Sequence, residues 1–340
     1  MAKLSSRWSG GLPTAAAMAL ASFGSFHVGG RAVPLADLPV RHCRFTNAGT
    51  ATTIDTNGLH WVEAMYAQYF VPQQRLTTEP LLLWHGGALT GACWESTPDG
   101  REGWLPFFVR QGWITLCCDA VERGRAGFPP VPQVFQEPPL HQPMNWAFER
   151  HRIGTGPGSW HPEPSQCQPI AGTRFPVAAY AQLAMQSVAR WTQSDDAILR
   201  GYLALLEEAG PSHVLAHSQA CQFAFQAAEA RPDLVRSLVL VEPSGVGSAE
   251  GSLALRHIPL LLVWGDGTLT HTRWQTLRQT VDNYLVPLRQ AGGHIDLLDL
   301  PALGVQGNSH LMMMDDNSSD IAGRIHAWLQ SQLSGPQQRS

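Results

Sequence analysis

Six short, almost uninterrupted apolar runs constrain this chain more than any other feature. They are PLLLWHGG (80–87), WITLCCDA (113–120), HVLAHS (213–218), LVRSLVLVEP (234–243), IPLLLVWGD (258–266) and HIDLLDLP (294–301). A strand with one wet face alternates apolar and polar residues, whereas a strand covered on both faces reads as a continuous apolar run. Helical patterns separate the runs. Ala197–Ala209 carries Ile198, Leu199, Tyr202, Leu203, Leu205 and Leu206 before Gly210, and Gln219–Ala230 stops ahead of Pro232. Thr272–Arg289 is closed by Gly292 and Gly293, and Asp320–Leu333 sets Ile321, Ile325, Trp328 and Leu329 on one stripe. Strands alternating with helices imply an α/β fold, a mostly parallel sheet with helices on both faces.

Two further strand-like stretches precede these, SFHVGGR (25–31) and MYAQYFVP (65–72), the second following a turn that contains Asn57-Gly58. With 340 residues the chain is long enough to bury a core without disulfides or metal. Its net charge is −4, Lys3 is the sole lysine, and no run of basic residues exists to track phosphates, which argues against nucleic acid and acidic membrane surfaces. No stretch approaches the roughly 20 apolar residues of a membrane span. The six cysteines, Cys43, Cys93, Cys117, Cys118, Cys167 and Cys221, show no CxxC spacing, so a zinc ribbon is not expected; no metal or cofactor is assigned from the sequence. Cys117 and Cys118 adjoin within one apolar run and read as buried side chains on opposite faces of a strand. At the N-terminus, Lys3 and Arg7 precede the weakly apolar Leu12–Ala21, and residues 1–22 have the outline of a signal peptide ending in Ala19-Leu20-Ala21. Pro13 and Thr14 interrupt that segment, which tips the balance slightly toward a cytoplasmic protein.

One segment breaks the alternation. Residues 121–192 hold eleven prolines between Pro129 and Pro176, interleaved with Phe135, Trp146, Phe148, Trp160 and Phe175. An irregular insertion of that length inside a compact domain reads as a lid or binding region. One domain over residues 25–335, with a cap inserted at 121–192, is therefore expected. Trp94, Phe135, Trp146 and Trp160 are the candidates for contacting a partly apolar substrate.

The sharpest chemical signal is Ala216-His217-Ser218-Gln219-Ala220, which ends an apolar run and opens a small-residue helix. A serine on so tight a strand-to-helix turn has its hydroxyl exposed and backbone N–H groups close by, and the turn is crowded enough to require small residues two before and two after. A nucleophilic serine needs a base and donors for an oxyanion. His85-Gly86-Gly87-Ala88 follows the first buried run, making the N–H groups of Gly87 and Gln219 the candidate oxyanion donors. Among fourteen histidines, His310 lies in the loop before the last helix, the expected place for the base. His217, adjacent to the serine, would point elsewhere, and His294 starts a strand; both read as structural. Two acids compete to orient His310: Asp266 ends one run and Glu242 the run before it, and both open on the same sheet edge.

Taken in order, HGGALTGACWESTPDGREGW, AHSQACQFAFQAA, VEPSG and LPALGVQGNSHLMMMDD resemble an unusual group of bacterial α/β-hydrolase esterases, the Alcaligenes type, over residues 25 to 330. The resemblance implies an α/β-hydrolase fold and a Ser-Glu-His triad, which falls on Ser218, Glu242 and His310 and tips the acid toward Glu242 over Asp266. It also implies export and a homodimer. One departure stands out. The group carries two adjacent disulfide-linked cysteines directly after the His-Gly of its oxyanion loop, and here those positions are Gly87 and Ala88. The expected reaction is hydrolysis of a small-molecule carboxylic ester or lactone through an acyl-enzyme. The alternatives are acyl transfer or a lyase reaction with the same triad, or a non-catalytic hydrolase-like binding protein. A dehalogenase or epoxide hydrolase would need Asp in place of Ser218.

Overall fold

A computed structural model of the protein describes residues 18–130, 132–248 and 250–333. Its centre is an eight-stranded sheet in the order β1-β4-β6-β5-β7-β8-β9-β10. The strands are β1 (Leu20–Leu35), β4 (Gly58–Pro72), β5 (Leu81–Trp84), β6 (Thr115–Asp119), β7 (Ser212–His217), β8 (Val235–Val241), β9 (Leu260–Trp264) and β10 (Ile295–Asp299). β1, β4 and β6 pair antiparallel, and every pairing from β6 to β10 is parallel. Each of the six apolar runs supplies one strand of the parallel part, so the α/β class read from the sequence is the class observed. β5, β6, β7 and β9 are buried at every position.

The sheet separates two apolar cores, and strand alternation assigns the side chains. Leu82, Trp84, Leu116, Cys118, Val214, Ala216, Leu240 and Leu262 face the helices Asp195–Ala209 and Gln219–Ala230. Leu81, Leu83, Cys117, Leu215, Val241 and Val263 face Trp104–Arg110 and the last helix, Ser318–Leu333. The neighbours Cys117 and Cys118 thus enter opposite cores, and all six cysteines are free.

Three features differ from the expectation. β1 and β4 run 16 and 15 residues, far longer than the stretches at 25–31 and 65–72. Gly29 and Gly30 lie within the ribbon. Gly30 has φ +78°, and a Cβ there would stand 2.6 Å from the Val62 carbonyl, so glycine is what allows pairing to continue. Between β1 and β4 a small two-stranded sheet forms from β2 (Arg41–Cys43) and β3 (Thr52–Ile54). Finally, the stretch 272–289 is two helices, Thr272–Tyr284 and Val286–Gln290, because Pro287 cannot continue a helical hydrogen-bond ladder. The signal-peptide reading of residues 1–22 falls mostly on 1–17, outside the described residues; Leu20 and Ala21 already belong to β1.

Residues 121–192 contain two short α-helices, Asn145–Arg150 and Tyr180–Gln186, joined by irregular chain. Paired backbone hydrogen bonds between Leu140 and Arg190 (2.8 and 3.1 Å) tie the interior of the segment to its C-terminal end. Phe148, Ile153, Phe175, Tyr180 and Leu183 merge into the second core rather than forming one of their own. Among the described residues no helix is long and apolar enough to cross a membrane.

Candidate active site

The C-terminal ends of β5, β7 and β8 converge on one cavity of about 320 Å³, as ligand sites do in open parallel sheets. Ser218 follows β7 directly, with φ 54° and ψ −116°, a backbone that non-glycine residues rarely adopt. Helix Gln219–Ala230 begins at the next residue. Ala216 and Ala220, two before and two after, are fully buried, which accounts for the small side chains at both positions. Glu242 follows β8, also at positive φ (46°), and is fully buried. His310 lies in the loop between β10 and the last helix, held by its backbone N–H to the His151 carbonyl at 2.9 Å.

These three side chains meet. His310 Nδ1 is 2.8 Å from Glu242 Oε2, and its Nε2 is 2.9 Å from Ser218 Oγ. An ionised carboxylate offers only acceptors, so the ring hydrogen sits on Nδ1 and the lone pair of Nε2 faces the serine hydroxyl. Asp266, the competing acid, goes elsewhere and accepts the Gly307 N–H. It lines a separate recess of about 650 Å³ that contains neither Ser218 nor His310.

Gly87 and Gln219 both line the serine cavity. A Cβ on Gly87 would stand 2.8 Å from both Arg190 Nη1 and Gln219 Oε1, the ends of two long side chains that line the same cavity. Of the four aromatic residues expected at the substrate, Trp146 lines the cavity and three do not. Trp94 is fully buried beneath it, stacked on Trp104 at 5.6 Å. Phe135 packs on Trp191, and Trp160 packs against the second core. In an irregular segment an aromatic side chain lowers its free energy equally by covering the core or by walling a cavity, so residue type alone does not decide between them.

His217 makes the structural bond expected of it but does not point away from the site. Its Nε2 donates to the His310 carbonyl at 2.9 Å, a structural bond, yet its ring lies 4.7 Å from the His310 ring and forms part of the cavity wall. His151 stands 4.9 Å from His310 on another side. Burial lowers the His217 pKa to about 4 and takes His151 well below the ordinary imidazole value. His310 is also lowered well below, first by burial and then by His217, Arg152 and Arg273. All three rings are therefore neutral at neutral pH, the state in which Nε2 can accept a proton.

Two supporting residues had no sequence signal. Arg152, buried within the proline-rich segment, forms an ion pair with Glu242 Oε1, which also accepts the Gly265 N–H at 3.0 Å. Asp315 braces the histidine loop: it accepts the Ser309 N–H and hydroxyl, both at 2.8 Å, and the Asn308 amide at 3.0 Å. Arg152→Met removes a positive charge that opposes the imidazolium. The acid limb of the kcat/KM profile should then move to higher pH by about one unit, with Arg152→Lys closer to the parent. A profile that merely drops in height without shifting would contradict this.

Among the described residues, no group of three or more His, Cys, Asp or Glu side chains is placed to hold a metal ion.

An eight-stranded, mostly parallel sheet with a serine on the strand-to-helix turn defines an α/β-hydrolase. No family model matches the chain. It is similar to a bacterial esterase solved at atomic resolution: 31% identical, TM-score 0.81, covering 94% of this chain and 98% of that one. It is also 25% identical to a probable secreted lipase, phiG, of a fungal species (strain ATCC 74256), over 79% of this chain and 86% of the lipase. The chain belongs to the α/β-hydrolase esterases, a family of carboxylic ester hydrolases.

Proposed function

We propose that this protein hydrolyses carboxylic esters of small molecules through an acyl-enzyme formed on Ser218. The observation that carries this reading is the continuous chain from Ser218 Oγ through His310 to Glu242, with contacts of 2.9 and 2.8 Å. As Ser218 Oγ bonds to the ester carbonyl carbon, its proton passes to His310 Nε2. The carbonyl oxygen becomes an oxyanion that accepts hydrogen bonds from the Gly87 and Gln219 N–H groups, each such donor being worth about 3 kcal/mol in related chemistry. Collapse expels the alcohol, which takes the proton from His310. Water then attacks the acyl-enzyme by the same route and releases the acid. Glu242 fixes the His310 tautomer and stabilises the transient imidazolium. A lactone presents the same carbonyl and suits the same machinery.

Residues 121–192 act in this reading as a cap, since Trp146 and the helix Tyr180–Gln186 wall the serine cavity. The likeness to the Alcaligenes-type esterases also supports a homodimer, testable by light scattering.

A fluorophosphonate should label the protein in proportion to lost esterase activity, and mass spectrometry should place the adduct on Ser218. An adduct on any other residue, or inactivation without an adduct, would sink the mechanism.

A further inference from the structure

The serine cavity has a charged wall that ester hydrolysis by itself does not require. Arg190 is half-buried beside Gly87, with Nη1 2.8 Å from where a Cβ on that glycine would stand. Its Nε is buried with no hydrogen-bond partner. The Arg190 backbone is clamped by the two hydrogen bonds to Leu140, so the side chain projects from a fixed point. Arg273, at the start of helix Thr272–Tyr284, lines the same cavity from another element. Arg150 stacks on the cavity residue Trp146 at 4.0 Å and stands close enough to Arg273 to repel its charge. Among the described residues neither Arg190 nor Arg273 forms an ion pair. The one acid lining the cavity, Asp195, is solvent-exposed and pairs with neither.

A buried guanidinium nitrogen without an acceptor is costly, because its water has been removed and nothing replaces it. A guanidinium presents donors in a planar fork that matches a carboxylate. The guanidinium lines the cavity and sets its Nη1 beside the proposed oxyanion donor Gly87, close to where the reaction above puts the acyl carbonyl.

We propose that Arg190, assisted by Arg273 at the rim, is an anion subsite selecting esters whose acyl part carries a free carboxylate, that is, monoesters of short dicarboxylic acids. This rests on the serine-hydrolase reading and names its substrate class. The carboxylate accepts from the guanidinium of Arg190 on its cavity side and fixes the acyl chain with its ester carbonyl over Ser218. The products are the dicarboxylate and a neutral alcohol.

Monomethyl glutarate and methyl valerate, nearly equal in shape and different in charge, provide the test. Followed by pH-stat, kcat/KM should favour monomethyl glutarate. Arg190→Met should reduce the ratio of the two values about 10- to 100-fold, the range expected for one charge-assisted hydrogen bond. Arg190→Lys should recover part of that ratio, and Arg273→Gln should lower it less. If the wild type prefers methyl valerate, or if Arg190→Met slows both esters equally, the subsite is wrong while the hydrolase reading stands. If the wild type cleaves neither ester, the hydrolase reading fails, and calorimetric titration with glutarate then decides the subsite. Binding that is lost in Arg190→Met supports it; binding that persists in that variant, or no binding at all, overturns it.

Discussion

Ser218→Ala is expected to lower kcat for short p-nitrophenyl esters by about 10⁶-fold, the loss typical of removing a triad nucleophile. The magnitude follows from what the variant leaves behind. Without Oγ no acyl-enzyme forms, and the residual rate comes only from water in a cavity that still holds His310 and the backbone donors. Folding should be little affected. The hydroxyl's only hydrogen-bonding partner among the described residues is His310, and alanine is small enough for the crowded turn between Ala216 and Ala220. The variant's melting temperature therefore separates loss of chemistry from loss of structure. A variant that keeps its rate would show that the geometry is present but idle.

The second large effect concerns the acid. Glu242→Gln should cost about 10⁴-fold in kcat, as neutralising a triad carboxylate does elsewhere. The amide can donate to Nδ1, which favours the wrong tautomer and leaves no lone pair on that nitrogen's partner to hold the ring hydrogen. It also leaves the buried Arg152 guanidinium without its counter-ion, so some loss of stability accompanies the loss of rate. Asp266→Asn should cost less than about 10-fold, because its hydrogen bond runs to the Gly307 backbone and reaches His310 only through the loop. A larger loss from Asp266→Asn than from Glu242→Gln would overturn the assignment.

The two acids show where sequence reading reached its limit. Glu242 and Asp266 end neighbouring parallel strands, β8 and β9, and strand pattern treats them alike. What separates them is the path of the loop around His310, which depends on Asp315 and on a backbone bond to His151 more than 150 residues earlier in the chain. Arg152 escaped notice for a related reason. It lies in a proline-rich segment without periodicity, and an arginine there reads as solvated surface until the fold buries it against Glu242.

The aromatic residues of that segment divide in the same way. Trp146 walls the cavity, whereas Phe148 and Trp160 pack toward the core. Each position is apolar enough for either fate.

By itself, the sequence determined the sheet, because unbroken apolar runs can lower their free energy only between two covering layers. It also determined the serine turn, because that geometry restricts its neighbours to small residues. These are local constraints, carried by residues adjacent in the chain. Only the tertiary structure decided which carboxylate meets His310, that His217 and His151 wall the cavity as neutral rings, and that Arg190 faces the cavity with a buried nitrogen unpaired. Each of those depends on contacts between segments far apart in sequence, whose distances and charges exist only once the chain is closed.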